Sequence, residues 1–498
     1  MKLKTSVPPY GTPLLVAMEA MMLFVLTSCG AGTSPTTQVV ANLPVPSMVQ
    51  NTVPVTVDAY SDTSNNVFIP NRIYTSVTVC TPAVYPVGQN PIGGPPPAPT
   101  CQTINNILVD TGSVGLRLLD NGVSPLPVVT DGSNHPLQEC VQFADFTYVW
   151  GPVVRGTVQM AGESAAQVPL GFETADTGIP IQIIATQNDL SIGSLWGGAI
   201  SLSAVPSDCL SSPPSGGLPT AANTLETLGA NGILGVGVFL QDCGLACAST
   251  PPPKQYYYCP SGLCSVASVP QDLQLWNPVA AFAYDNNGLL LSLPQLPPAN
   301  GSAGMTGSLI FGIGTQANNA LGEASILPVD AYGNFPEVTL NYTPINAAYP
   351  TVYLNYLSPQ NGSYIDSGTP SIYFSDAQSL GPTVPNCQDY PGLYCPMDLT
   401  YFTANVYGTD KTHTQFGWNI LSADTLLNSE NCMNGNEPIP CSVFNDLGGG
   451  SGIDSSPDYV DFGVPFFLGK NVFVGFAGTA LLDPEQQVFN YTNGYWAF

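Results

Sequence analysis

Positive charge is scarce in this chain of 498 residues. It has 8 Lys and Arg against 34 Asp and Glu, which gives a formal net charge of −26 at pH 7. Nucleic-acid binding and electrostatic attraction to anionic lipid both depend on Lys and Arg near phosphate groups. The composition therefore argues strongly against a nucleic-acid partner and against membrane binding driven by charge.

Histidine is scarcer still, with only His135 and His413 in the whole chain. A zinc peptidase of the HExxH type needs two His on one helix, and a Ser-His-Asp hydrolase is expected to carry a GxSxG turn around its nucleophile. Neither pattern accompanies these residues. We expect no metal or cofactor, and we expect both His to make ordinary polar contacts.

Long helices are not expected, because the chain contains 50 Gly and 49 Pro. Such a composition favours short strands and many turns. Disorder is not expected, since 44% of the residues are hydrophobic and 10% are aromatic. An all-β protein is the first prediction, with enough chain for two large lobes.

One apolar run could act in export. Lys2 and Lys4 precede LLVAMEAMMLFVL, which leads into Leu-Thr-Ser-Cys-Gly, and this pattern resembles the lipobox of bacterial lipoproteins. The resemblance implies a signal peptide at 1–28 and acylation of Cys29. It also implies attachment to a membrane of the bacterial cell envelope. The composition that follows is rich in Thr, Pro, Ser and Val, which predicts a flexible tether at 29–66. An ordinary signal peptide is the alternative.

The cysteine count agrees with an exported protein. Removal of Cys29 from the 13 leaves 12, an even number that predicts disulfides outside the cytoplasm. Zinc at 243–264 is the alternative, but the CxxxC there lacks a second pair at zinc-finger spacing. Three local pairs are expected: Cys80 with Cys101, Cys387 with Cys395, and Cys432 with Cys441.

Two similar Asp motifs lie in the two halves of the chain. The run Ile-Leu-Val leads into Asp110-Thr111-Gly112-Ser113, and Tyr-Ile leads into Asp366-Ser367-Gly368-Thr369. Gly permits a close backbone approach after each Asp, and the hydroxyl groups beside it are able to hold the carboxylate by hydrogen bonds. The alternative is a simple turn that ends each strand.

This pair resembles the DTG and DSG signatures of pepsin-like aspartic proteases. Each half also has a downstream hydrophobic-hydrophobic-Gly element like those of the family, at 231–237 and 460–467. The resemblance covers about residues 67–498. It implies an all-β, bilobal pepsin-like fold with an N-terminal lobe at 67–300, a C-terminal lobe at 301–498 and a cleft between them.

The resemblance also implies roles for these residues. Asp110 and Asp366 would share a proton and activate a water against a peptide bond, with no cofactor and with peptide or protein as substrate. Gly112 and Gly368 would allow the close approach of the two turns. Ser113 and Thr369 would bond the outer carboxylate oxygens, and Thr111 and Ser367 would lock the turns together.

A hairpin within 141–163 is similar to the family's flap, with Tyr148 or Trp150 as the covering aromatic. We expect a monomer. The chain departs from the family where Arg117 stands in place of a usual Trp, and disulfide-rich insertions at about 205–275 and 380–445 enlarge the frame.

The chain most resembles bacterial lipoproteins with the same DTG pattern. A catalytically silent peptide- or partner-binding lipoprotein is therefore the main alternative to the protease. A structural envelope protein, in which the two motifs are only turns, is a third interpretation.

Overall fold

Strands form most of the regular secondary structure of the protein. The computed structural model describes residues 50–65, 67–83, 100–120, 123–169, 176–186, 205–212, 217–260, 263–296, 301–343, 351–358, 362–374, 380–428, 432–434, 437–450, 459–482 and 488–498. Within these residues the α-helices are single turns of four or five residues. The prediction of an all-β protein is confirmed.

The strands of the first half are β1 (Thr52–Asp62), β2 (Val67–Cys80), β3 (Cys101–Asp110), β4 (Val114–Leu119), β5 (Leu137–Gln142), β6 (Thr147–Met160), β7 (Glu163–Ala165), β8 (Ile179–Ile184), β9 (Thr220–Ala221), β10 (Gly232–Val236), β11 (Tyr256–Tyr258), β12 (Ser265–Val266) and β13 (Gly288–Ser292). The strands of the second half are β14 (Met305–Phe311), β15 (Ile326–Pro328), β16 (Glu337–Tyr342), β17 (Val352–Leu357), β18 (Tyr364–Ile365), β19 (Ile372–Tyr373), β20 (Thr400–Tyr407), β21 (His413–Ile420), β22 (Cys432–Asn434), β23 (Glu437–Ile439), β24 (Gly448–Gly449), β25 (Asp461–Phe462), β26 (Asn471–Gly475), β27 (Ala480–Leu482), β28 (Val488–Asn490) and β29 (Tyr495–Ala497). The helices are α1 (Leu225–Leu228), α2 (Ala423–Leu427) and α3 (Val464–Phe467).

Alternating burial shows how the strands face the core. In β1 the side chains of Val53, Val55 and Val57 are buried, while the residues between them are exposed. A strand points successive side chains to opposite faces, so this period of two buries one face and leaves the other in solvent. In β4 and β8 every residue is buried, as expected for strands inside the fold.

Strand β1 corrects the predicted tether. The segment 29–66 was expected to be flexible, but residues 52–62 form a strand that pairs with β2 and with β14. The segment is rich in Pro and Thr, but its Val residues alternate regularly with exposed residues and are buried, as in a strand. The first 49 residues, with the proposed signal peptide and Cys29, lie outside the described residues.

Hydrogen bonds also cross the proposed lobe boundary at residue 300. Strand β13 precedes it and pairs with both β14 and β26, which follow it. Seventeen of the described strands are linked in this way into one continuous system. The second half adds a four-stranded sheet in the order β17-β16-β20-β21 and a small sheet in the order β18-β25-β19-β24.

Six disulfides use all twelve cysteines after Cys29. The three predicted local pairs, Cys80–Cys101, Cys387–Cys395 and Cys432–Cys441, are confirmed. The others are Cys140–Cys209, Cys243–Cys247 and Cys259–Cys264, which leaves no thiols for zinc at 243–264. Disulfides in this number are typical of exported proteins. No helix in the described part of the chain is long and apolar enough to cross a membrane.

Candidate active site

The first motif is a turn between two strands with a third strand inserted between them. Strand β3 ends at Asp110, and β4 returns from Val114. The later strand β10 pairs parallel to β3 and antiparallel to β4. Gly235 of β10 stands opposite Asp110, and a Cβ there would lie 2.7 Å from the backbone of Val114. The Gly of this hydrophobic element therefore permits the insertion.

The second motif repeats this arrangement. Strand β18 leads to Asp366, β19 returns after the turn, and β25 pairs parallel to β18 and antiparallel to β19. A Cβ at Gly463, directly after β25, would collide with the carbonyl oxygens of Thr369 and Ser371. Both hydrophobic-hydrophobic-Gly elements thus serve the same purpose, although one follows its motif by more than a hundred residues.

Reciprocal hydrogen bonds join the two turns. The backbone N–H of Thr111 donates to Ser367 Oγ over 3.0 Å, and the N–H of Ser367 donates to Thr111 Oγ1 over 3.0 Å. Each hydroxyl then donates to the strand before the opposite Asp, Ser367 Oγ to Val109 O at 2.7 Å and Thr111 Oγ1 to Ile365 O at 3.3 Å. Four buried bonds therefore hold the strand ends face to face.

Each Asp carboxyl group is held by its own turn in the same way. Gly112 N–H donates to Asp110 Oδ1 at 2.8 Å, and Ser113 Oγ donates to Asp110 Oδ2 at 2.5 Å. In the second turn Gly368 N–H donates to Asp366 Oδ1 at 2.7 Å, and Thr369 Oγ1 donates to Asp366 Oδ2 at 2.8 Å. The two carboxyl groups therefore have matching orientations and matching donors.

The two carboxyl groups also approach each other. Asp366 lies within hydrogen-bonding reach of Asp110. A Cβ at Gly112 would lie 2.6 Å from Asp366 Cγ, and one at Gly368 would lie 2.9 Å from Asp110 Oδ1 and 3.1 Å from Asp366 Oδ1. Glycine is required at both positions because each faces the other motif's carboxyl group.

Burial and neighbouring charge favour a proton on Asp366. Its pKa is raised well above the usual range, first by burial and then by the charges of Asp110 and Asp461. Two carboxyl groups at this distance resist double ionisation. The pair is therefore suited to carry one proton, with Asp366 as its holder.

Two further charged residues border the dyad, and sequence reasoning missed both. Arg72 in β2 donates to Gly368 O at 3.2 Å and to Leu228 O at 2.5 Å. Burial lowers the pKa of Arg72, and the charges of Asp110 and Asp366 are among those that oppose this effect. Asp461 in β25 bonds Thr369 Oγ1. The signal for each was a charge inside an apolar strand of a chain with few charges.

The expected hairpin is present, and both of its candidate aromatic residues are buried. Strands β5 and β6 pair up to Gln142 and Tyr148, around a turn at 143–146. Tyr148 and Trp150 are only 9% and 5% exposed, and the Trp150 ring packs edge-on at 5.7 Å against Tyr257. The structure therefore places both in the interior beneath the disulfide-bonded segment.

The hairpin turn itself points towards the second motif. Burial raises the pKa of Tyr373 and of Tyr459, which lie beside the second motif, and the exposed carboxylate of Asp145 adds a smaller contribution. The turn at 143–146 thus lies on the side of the second motif.

A small recess with a cavity volume of about 40 Å³ opens beside the first turn. Gly112 and Thr111 form one side of it. Aromatic and amide side chains line the rest: Phe239, Tyr332, Asn334, Tyr364 and Trp496.

A possible metal cluster carries no chemistry. Cys387, Cys395 and Asp424 come close enough to hold an ion, but the two sulfurs form one disulfide and provide no thiolate.

Family comparison covers nearly all of the described chain. Residues 47–498 match the model of a family described as Protein of unknown function (DUF3443). The chain belongs to this family. A search of curated proteins gave no match. Function is therefore argued from the geometry of the site.

Proposed function

We propose that the protein is an exported aspartic endopeptidase with a bilobal pepsin-like fold, attached to the bacterial cell envelope through Cys29. The observation that carries this proposal is the pair of matched turns. Reciprocal bonds between Thr111 and Ser367 bring Asp110 and Asp366 within hydrogen-bonding reach. Two turns with unrelated structural roles would not need equivalent donors on both carboxyl groups.

The proposed reaction uses the single proton of this pair. Asp110, which accepts from Gly112 and Ser113, takes a proton from a water held between the carboxyl groups. The water oxygen bonds the carbonyl carbon while Asp366, whose proton burial and neighbouring acids keep bound until then, donates that proton to the carbonyl oxygen. The C–N bond then breaks as Asp110 passes the proton of the water to the leaving nitrogen and Asp366 recovers a proton from a hydroxyl of the diol. The hydroxyls of Ser113 and Thr369 hold the carboxyl groups in position during the transfer.

The two copies of the inserted-strand arrangement support the bilobal proposal. Each copy consists of a strand that ends at Asp, a returning strand and a later strand between them. We propose that each is the centre of one lobe.

The test is cleavage of an unfolded protein by the detergent-solubilised full chain between about pH 2 and 8. We expect cleavage that pepstatin inhibits and that falls by at least about 1,000-fold in Asp110→Asn and in Asp366→Asn. Asp398→Asn, an exposed acid distant in sequence from both motifs, is the matched control.

Folded protein without cleavage at any pH would contradict the protease proposal. Retained affinity of that protein for unfolded peptides would support the silent binding lipoprotein instead. Full cleavage by either Asn variant would contradict the assignment of the dyad.

A further inference from the structure

A third carboxyl group lies behind the dyad. Asp461 is the first residue of β25. It pairs in parallel register with Tyr364, the residue two positions before Asp366. It is 6% exposed. Its neighbours along the chain, Val460 and Phe462, are both fully buried, so a charged residue interrupts an apolar segment. The reaction proposed above gives this buried acid no role.

The hydroxyl of Thr369 contacts two carboxyl groups at once. Its Oγ1 lies 2.8 Å from Asp366 Oδ2 and 3.0 Å from Asp461 Oδ2. A hydroxyl has one proton to donate and two lone pairs that accept. It satisfies both contacts only if one of the carboxyl groups is itself protonated and donates to it.

The surroundings select Asp461 as the protonated member at this hydroxyl. Asp461 Oδ1 is buried and has no hydrogen-bond partner in the described residues, and Oδ2 receives only a long contact of 3.4 Å from Tyr364 besides Thr369. A buried carboxylate with an oxygen that lacks donors is strongly unfavourable. Asp366 Oδ1, by contrast, accepts from Gly368 N–H at 2.7 Å, and the proton that Asp366 holds is shared with Asp110 and does not reach Thr369.

The other ionisable groups around Asp461 do not favour its ionisation. Tyr364, Tyr373 and Tyr459 surround it as neutral phenols, each with a pKa that the Asp461 charge would raise. Asp110 and Asp366 are acids that resist another negative charge. The nearest described cation at the dyad, Arg72, donates to the backbone carbonyls of residues 228 and 368. Burial is the largest cause that raises the pKa of Asp461 to about 8.

We propose that Asp461 is a positioning acid that stays protonated at neutral pH and donates to Thr369, which thereby commits its own proton to Asp366. This proposal rests on the proposed function and deepens it. The chain Asp461–Thr369–Asp366 orients the proton-holding member of the dyad. The first turn has no counterpart among the described contacts, because Ser113 donates to Asp110 alone.

An infrared measurement tests the protonation without any need for activity. The background is full-length Asp110→Asn/Asp366→Asn, in which the dyad holds no acid proton. We expect a protonated carboxyl C=O band at pH 6 that disappears when Asp461→Asn is added to this background. The band should also fade as the pH rises through about 8. The absence of any such difference band at pH 6 would overturn the proposal and leave the protease proposal intact.

A kinetic comparison in the wild-type dyad tests the positioning role. Asp461→Asn keeps a neutral donor towards Thr369, so we expect kcat within about threefold of wild type at pH 5. Asp461→Val removes the donor, and we expect kcat to fall about 10- to 100-fold with KM nearly unchanged. Equal losses in both variants would contradict positioning through Thr369. Absence of cleavage by the wild-type protein would refute the protease proposal only. The infrared band would still test whether Asp461 is protonated.

Discussion

The close approach of the two motifs can be tested by adding one methyl group. In Gly112→Ala the new Cβ would lie 2.6 Å from Asp366 Cγ and 2.8 Å from each of its carboxyl oxygens. Gly112 does not need a left-handed backbone conformation, so Ala adds contact without backbone strain. Ordinary van der Waals contact begins near 3.4 Å, and the Asp366 carboxyl group must therefore move by close to 1 Å.

We expect this shift to reduce kcat by about 100-fold, because misplacement of a reacting group by about 1 Å has an effect of that size. It corresponds to roughly 2.7 kcal/mol of activation free energy. The free energy of unfolding should fall by about 1–3 kcal/mol, the usual effect of an extra carbon in a packed site. Peptide cleavage and urea unfolding of the same preparation measure the two quantities.

Two other glycines provide a graded comparison. In Gly368→Ala the closest contacts are 2.9 Å to Asp110 Oδ1 and 3.0 Å to Asp110 Cγ, so the loss of kcat should be smaller than in Gly112→Ala. A Cβ at Gly132 meets no atom within 4 Å, and Gly132→Ala should leave kcat and stability nearly unchanged. Wild-type kcat in folded Gly112→Ala would refute the reasoning, since the two turns would then not be in contact during catalysis.

Two further changes address the stability of the site. Thr111→Val should lower the free energy of unfolding by about 2–4 kcal/mol, because Ser367 N–H and Ile365 C=O lose a buried partner. Chemical denaturation measures this loss, with Thr111→Ser as the control that keeps the hydroxyl. A loss below about 0.5 kcal/mol would contradict the expectation. The pKa of Asp461 is raised to about 8 in the folded chain, against about 3.9 in the unfolded chain. The contribution of its proton to stability is therefore complete below pH 4 and is lost as the pH rises to 8. Denaturation at pH 5 and pH 8 should therefore show a decline in the free energy of unfolding. Asp461→Asn should reduce this decline by up to about 1.4 kcal/mol per pH unit. An equal dependence on pH in the two proteins would refute the assignment.

Local patterns in the sequence predicted the parts of the site that depend on neighbouring residues. Asp110 and Asp366 were recognisable because each ends an apolar run and precedes small hydroxyl and Gly residues. The short disulfides, such as Cys387–Cys395 with a separation of 8 residues, followed from proximity along the chain. Cys140–Cys209 joins residues 69 positions apart, and only the packed structure determines such a pair.

The errors arose where tertiary structure decides the environment. Val53, Val55 and Val57 alternate as a strand does, but the surrounding Pro and Thr favoured the interpretation as a tether. The register of the hairpin decides which aromatic residues face inward, and local sequence does not define that register. Asp461 was read as part of a hydrophobic element because its contact with Thr369 joins residues 92 positions apart.

A buried cluster of charged residues joins the disulfide-rich segment to the site. The guanidinium of Arg117, the residue at which the chain departs from the resemblance, is buried. It bonds Glu139 Oε1 at 2.8 Å and lies 3.5 Å from Asp242 Oδ2. Burial and the charge of Glu139 raise the pKa of Asp242, so one proton and one cation neutralise the two acids.

This cluster connects three parts of the molecule. Arg117 belongs to the strand that leaves the first motif, Glu139 to the flap-like hairpin, and Asp242 to the segment at about 205–275. Removal of Arg117 or of Glu139 would leave an uncompensated buried charge, which is far less favourable than the intact cluster. The disulfide-rich segment is therefore bound into the frame that positions Asp110, and the hairpin beside the dyad is held at its base by the same charges.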